Sequence, residues 1–252
     1  MVTPPTKEVL MNRKKTPYNI TVLQLTSSSN YQQNLEQLLT YIQASSSDLI
    51  LAPEVCLTGF DYAHFDQAAA FFNHATKEIS SIVDQQIVVL TLIRKEQEGF
   101  VNQAVVIHKH RLVYQQNKHK LFTVGDETKY FIRGQQEKIQ PFEINGIRYG
   151  LLICFELRFK ELWKQLEGVD LLLIPSMWGK PRKKHLEILS TALAIMNQSF
   201  VVVGNAANED MAKSSAILSP WGEVVRDDML TVINHTIDLK EIKKTRRLIP
   251  MR

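Results

Sequence analysis

Three residues of this 252-residue chain are the working parts of acyl transfer: Cys154, Glu54 and Lys118. Cys154 follows the apolar run Leu151-Leu152-Ile153 and precedes Glu156 and Arg158 at the start of a predicted helix. A thiol placed there is exposed by the strand end, and the N–H groups and dipole of the following helix favour its thiolate. Glu54 ends a second apolar run, DLILAP, and Lys118 lies after Tyr114 in NKHKLF. A carboxylate, a thiol and an ammonium suffice to form and hydrolyse a thioester. The carboxylate takes a proton from the thiol and later from water, the thiol attacks a carbonyl carbon, and the ammonium stabilises the developing oxyanion. Each residue also has a plain structural reading: a core cysteine, a helix cap or strand-end charge, a solvated lysine. The chemical reading requires that the three converge in space, which spacing does not show.

The elements that would bring them together alternate between strands and helices. The β-branched run Asn19–Leu25 reads as a strand, and apolar residues at helical spacing mark a helix over 30–44. Asp48–Pro53 is a buried strand, and Phe65 to Val83 carry a second helical stripe. Ile87–Ile93 and Val101–His108 form a hairpin across KEQEG, with Arg111–Gln116 pairing next through a turn near Lys109 and His110. Residues 117–135 read as a long functional loop. Strands at Ile139–Ile144 and Ile147–Ile153 flank the Asn145-Gly146 turn, and a helix runs from Cys154 to about Leu166. Val169–Ile174 and Phe200–Gly204 are strands separated by a helix over 182–197. Ala216–Ser219 and Glu223–Arg226 flank Pro220-Trp221-Gly222, and Thr231–Asp238 is the last strand. Strands joined by helices in some places and hairpins in others argue for an α/β fold with mixed sheets. About a dozen strands would strain one open sheet, so two packed sheets are expected. Residues 1–17 read as a flexible basic leader, 18–239 as one domain and 240–252 as a basic tail.

Composition narrows the function classes. Hydrophobic residues make up 44% and charged residues 22%, values of a globular protein with a real core. No apolar run approaches the ~20 residues of a membrane helix, and the first residues lack the apolar core of a signal peptide. Two cysteines, Cys56 and Cys154, do not make a disulfide framework, so a reducing cytoplasmic setting is expected. The net charge of +4 is uneven: the leader carries +3 and the tail +5, which leaves the body at −4. Basic ends on an acidic body do not form the basic, aromatic-rich face of a nucleic-acid binder. The seven histidines are scattered without metal-ligand spacing.

The motifs, in order, resemble those of the nitrilase superfamily of carbon–nitrogen hydrolases. LAPEVCLTGFDY resembles that family's LPEMxxTGY segment and places Glu54 at its glutamate. YQQNKHKLF resembles YxKxHLF; the spacing to Leu121 and Phe122 selects Lys118, with Lys120 at the usual histidine position. ETKYFIRG places Glu127 at a second glutamate, and ICFELRFKEL resembles ICYDLRFPEL with Cys154 as the nucleophile. WGKPRKKHLEIL, ALAIMNQSFVVVGN and SSAILSPWGEVV follow in the family's order, so the resemblance spans roughly residues 19–238. There are departures. Glu156 replaces the usual aspartate, Lys160 a proline, and Leu193 and Met196 an arginine and a glutamate.

The resemblance implies a four-layer α-β-β-α sandwich. It also implies a homo-oligomer built from dimers through the helix after Cys154 and the helix over 182–197. It implies a thiol amidohydrolase that needs no cofactor or metal and takes a small-molecule amide. Cys154 would be acylated, Glu54 would act as base, Lys118 and the Phe155 N–H would hold the oxyanion, and Glu127 would support Lys118. The W-x-x-P-R-x-x-H segment resembles the ω-amidase branch and marks Trp178, Arg182 and His185 as substrate-binding candidates. N-carbamoyl or nitrile hydrolysis on the same core, or a non-catalytic binding homologue, are the alternatives.

Overall fold

Apolar runs in this chain bury both faces of their strands, and that requires layers on either side. The computed structural model describes residues 17–251, so the leader is outside the described residues except for Pro17. Strands β1 (Tyr18–Leu23), β2 (Leu49–Leu51) and β3 (Ile87–Glu96) are parallel, joined by helices α1 (Tyr31–Ala44) and α2 (Phe65–Ile82). β4 (Gly99–His108) and β5 (Arg111–Asn117) return antiparallel through tight turns. Lys109 and His110 both take positive φ, as a two-residue hairpin turn demands. A short helix α3 (Glu127–Tyr130) interrupts the long loop that follows.

The second half repeats the plan. β6 (Phe142–Ile144) pairs antiparallel with β7 (Ile147–Leu151), and β7, β8 (Leu171–Ser176) and β9 (Phe200–Asn205) are parallel. Helices α4 (Lys160–Gln165) and α5 (Lys183–Asn197) make the crossovers. β10 (Ala216–Leu218) and β11 (Val224–Arg226) add antiparallel strands. The last strand, β12 (Val232–Ile237), crosses back to pair antiparallel with β1. Each six-stranded sheet therefore has three parallel strands with one antiparallel strand on one side and two on the other, in the orders β12-β1-β2-β3-β4-β5 and β11-β10-β9-β8-β7-β6.

Alternation along the strands sorts side chains between layers. Ile50, Val88, Leu90 and Val105 pack outward against Leu35, Leu38, Ile42, Phe72 and Ile79 of α1 and α2. Ile20, Val22, Leu49, Leu51 and Val89 face the second sheet, and Tyr18 and Tyr149 share a hydroxyl hydrogen bond of 2.8 Å across the gap. The result is the four-layer sandwich. A Cβ on Gly204 would lie 3.2 Å from the Leu51 side chain and 3.3 Å from the Ala52 backbone. Glycine there lets β9 approach the end of β2, where the chain leads into Glu54.

Four expectations change. The helix expected from Cys154 to Leu166 is broken at Phe159 into a 3₁₀ turn (Cys154–Arg158) and α4. The strand expected from Ile139 begins only at Phe142, after the 3₁₀ turn Gln136–Lys138. The basic tail contains helix α6 (Lys240–Leu248), which buries Ile242 and Thr245 and is tied down by Arg246 Nη2 donating to Val169 O at 2.5 Å. Leu193 and Met196, whose replacement of an arginine and a glutamate implies that an ion pair has become apolar packing, part company: Leu193 is buried in the core, whereas Met196 is exposed. Among the described residues no helix is long and apolar enough to cross a membrane.

Candidate active site

The parallel strands end at one edge of the sandwich, and the segments after β2, β5, β7 and β8 meet there, as is usual for open α/β sheets. Glu54 is carried by the turn after β2, with no solvent exposure. Its backbone N–H donates to Ser176 O at the end of β8, which ties the two sheets together beside the carboxylate. Val55 follows at φ 42, a rare conformation for a β-branched residue, held by its N–H donating to Thr91 Oγ1 at 2.8 Å. Lys118 stands one residue beyond β5. Its Nζ donates to Glu54 Oε1 and to Glu127 Oε1, both at 2.7 Å. Glu127 heads α3 and uses Oε2 to accept the Phe122 N–H at 3.0 Å, so one carboxylate holds both the ammonium and the loop over it.

Charges this deep are stable only when paired. Burial pulls the Lys118 ammonium down, but Glu54, Cys154 and Glu127 outweigh it and hold its pKa above the ordinary value. Burial pushes the Glu127 carboxyl up, opposed by Lys118.

Cys154 follows the end of the second-sheet strand β7, at φ 50. This is backbone strain of the kind stored at reactive positions, and it turns the thiol out of the strand direction. Sγ accepts the Met177 N–H at 3.5 Å. The expected thiolate is not the resting form. Burial first, and the Glu54 charge next, push the Cys154 thiol well above its ordinary pKa, and Lys118 opposes them without prevailing. The single 3₁₀ turn behind it does not overcome two carboxylates in a desolvated site. The thiol must hand its proton to a base before it can attack.

The open space at Sγ is lined by Phe122, Phe155, Arg158, Met177, Trp178 and Arg182. Phe155 is the second residue of the 3₁₀ turn, where backbone N–H groups have no partner within the helix. The Arg182 guanidinium lies 5.0 Å from the centre of the Phe122 ring, and Arg158 lies 4.6 Å from the Trp178 ring. Among the described residues neither guanidinium has a carboxylate partner. The Trp178 indole N–H is buried with no acceptor among the described residues. The pocket wall is therefore rich in donors and poor in acceptors. His185 does not line it; its Nδ1 accepts from Arg158 Nη2 at 3.0 Å.

Lys120 and Lys118 do not share a face. The chain bends at Lys120, which points outward to Glu161 at 3.0 Å while Lys118 points in. An extended segment would have put residues two apart on one face.

Two residues at the site were not singled out by sequence reasoning. Asn102, in the buried strand β4, donates Nδ2 to Glu54 Oε1 at 2.8 Å. Its signal was a polar side chain inside the apolar run FVNQAVVI. Arg158 was legible only as a charge near the cysteine. The break at Phe159 ends its turn beside the pocket.

Comparisons with known proteins give the family and the fold. The carbon–nitrogen hydrolase family model matches residues 19–247. A 2-oxoglutaramate amidase of Bacillus subtilis (strain 168) is 27% identical over 234 residues, covering 87% of this chain and 90% of that protein. The omega-amidase YafV of Escherichia coli (strain K12) is 26% identical over 189 residues, 71% of each chain. The crystal structure of a carbon–nitrogen hydrolase from Helicobacter pylori G27 superposes with a TM-score of 0.84 at 18% identity, over 92% of both chains.

Proposed function

The chain belongs to the carbon–nitrogen hydrolase family, and we propose that it hydrolyses ω-amides of short dicarboxylic acids through a thioester on Cys154. The observation that carries the mechanism is the buried Lys118 ammonium, bonded at 2.7 Å to both Glu54 and Glu127 while bearing electrostatically on the Cys154 thiol. Glu54 Oε2 is buried and has no hydrogen-bond partner among the described residues, which suits a base waiting for a proton. It takes the Cys154 proton as Sγ attacks the amide carbon. The oxyanion is held by Lys118 and the Phe155 N–H. Collapse of the tetrahedral adduct breaks the C–N bond, and the proton on Glu54 leaves with ammonia. Water then gives a proton to Glu54 and attacks the thioester, releasing the acid and restoring the thiol.

The ω-amide reading is supported by the two amidase relatives and by the donor-rich wall of Arg158, Arg182 and the Trp178 indole N–H. A guanidinium without an internal carboxylate suits a substrate carboxylate. The same reading makes the enzyme a cytoplasmic homodimer packed through α5. Ile188 and Ile195, exposed one heptad apart on that helix, support it.

Ammonia release from a panel of acidic and neutral amides tests the activity. Cys154→Ala is expected to abolish it and Cys56→Ala to retain it. Cys56 is buried among apolar neighbours, and burial pushes its thiol up to about 12. Activity that survives in Cys154→Ala would overturn the mechanism.

A further inference from the structure

The proposed chemistry leaves the carboxylate of Glu156 without a task, although it is fully buried two residues after Cys154. Its Oε2 accepts the N–H of Ile153, the residue before the nucleophile, at 2.7 Å. Its Oε1 accepts the N–H of His119, the residue after Lys118, at 2.6 Å, and that of Lys120 at 3.4 Å. Among the described residues no cation lies within ion-pair distance of it. Burying a carboxylate is costly unless hydrogen bonds replace its water, and here the replacements come from the backbones flanking two reacting groups.

Those backbones belong to different sheets. Lys118 is tied to the first sheet through its own N–H to Asn102 O, at 2.8 Å. Its carbonyl accepts the Gly134 N–H at 2.8 Å, in a contact so close that a Cβ on Gly134 would meet Asn117 O at 2.3 Å. Cys154 hangs from the second sheet. Other ties between the two segments lie further from the reacting atoms. Gln116 Nε2 donates to Leu151 O at 3.2 Å, and the half-exposed Lys120–Glu161 pair spans 3.0 Å.

We propose that Glu156 is a positioning residue: by accepting backbone N–H groups on both sides, it sets the separation of the Cys154 thiol and the Lys118 ammonium. The inference rests on the thioester reading for its consequence in turnover, but the clamp itself is read out at the thiol without any substrate. In Glu156→Gln an amide NH₂ replaces one carboxylate oxygen. Whichever way the amide is turned, it faces a backbone donor with a donor, so the comparison is made above about pH 7, where the wild-type side chain is the carboxylate. Glu156→Asp keeps the charge and draws the carboxylate back by about 1.5 Å, one carbon–carbon bond. It retains reach to Ile153 within its own turn and loses reach to His119.

The test is the rate at which iodoacetamide alkylates Cys154 in the folded protein, followed by peptide mass, together with kcat and KM for the best amide of the panel. Cys154 alkylation is expected to slow at least tenfold in both variants. kcat should fall about 10²-fold, as ~1 Å of misplacement does, with KM within about twofold because the carboxylate-facing wall is untouched. Folding is checked by circular dichroism and thermal melting. If Gln does not fold, Asp carries the test. A folded variant with wild-type alkylation and kcat, only melting earlier, overturns the proposal and leaves Glu156 a stabilising residue. A wild type that turns over no amide sinks the amidase reading alone, and the alkylation rates still decide the clamp.

Discussion

Asn102 donates its Nδ2 to Oε1 of Glu54 at 2.8 Å, the same oxygen that takes the Lys118 ammonium at 2.7 Å. Both donors are satisfied on one side of the carboxylate, and among the described residues Oε2 is left with no partner. A carboxylate held in this way presents one fixed, unengaged oxygen for proton transfer.

Asn102→Leu removes a neutral donor to a buried charge, an interaction worth about 1.5–3 kcal/mol. kcat is expected to fall roughly 10- to 10²-fold by the corresponding free-energy change, with KM little altered. Steady-state kinetics on a folded variant checks this. An unchanged kcat would mean that Lys118 alone orients Glu54.

Lys118→Met should lower turnover by ~10²–10³, the usual cost of losing an oxyanion donor. It also leaves Glu54 and Glu127 facing each other without their shared cation, so part of the loss should appear as a lower melting temperature. Lys120→Met breaks the half-exposed pair with Glu161 and the contact of the ammonium with the Phe159 ring, both away from the reacting atoms, and should change turnover little. The reverse result would assign the ammonium role to Lys120.

Arg182→Ala and Arg158→Ala should each raise KM for amides carrying a carboxylate, with smaller effects on kcat, because the contact is equal in ground and transition states. Neutral amides of equal length should be turned over slowly by wild type and variants alike. A wild type without preference for acidic amides rules out the ω-amide assignment and leaves the thioester chemistry standing.

Glu156 makes stability depend on pH. Burial pushes its carboxyl from 4.5 up to about 7, against the pull of the Ile153 and His119 N–H groups, Lys118 and the Lys120 N–H. Between those values the folded chain binds the proton and the unfolded chain does not, so this group's contribution is full below about 4.5 and is lost as pH rises through about 7. Melting temperatures of wild type minus Glu156→Gln should therefore decline from pH 5 to 8. A flat difference would place the folded pKa near its ordinary value.

Much of the fold was legible because the strands buried on both faces are apolar runs and each long helix carries one apolar stripe; those patterns are local and survive without tertiary context. DLILAP, LLIC and VDLLLI announced strands buried on both faces, hence layers; the turn at Asn145-Gly146 announced itself by residue type, and that at Lys109-His110 by its place between two strands. The motif order also named Glu54, Lys118, Glu127 and Cys154. Local pattern could not supply the break at Phe159 that brings Arg158 to the pocket. Nor could it supply the bend that turns Lys120 outward, or the docking of α6, whose basic composition reads as solvated.

The protonation of the site was decided by tertiary structure alone. A helix start beside Cys154 favours the thiolate when read along the chain. Yet desolvation and the field of Glu54, a residue 100 positions away in sequence, keep the proton on sulfur. Asn102 and Glu156 were invisible as site residues for the same reason. The hydrogen bond of Asn102 to Glu54 joins segments 48 residues apart through the pairing of β2, β3 and β4 within one sheet, and that of Glu156 to His119 joins segments 37 residues apart across the stacked sheets.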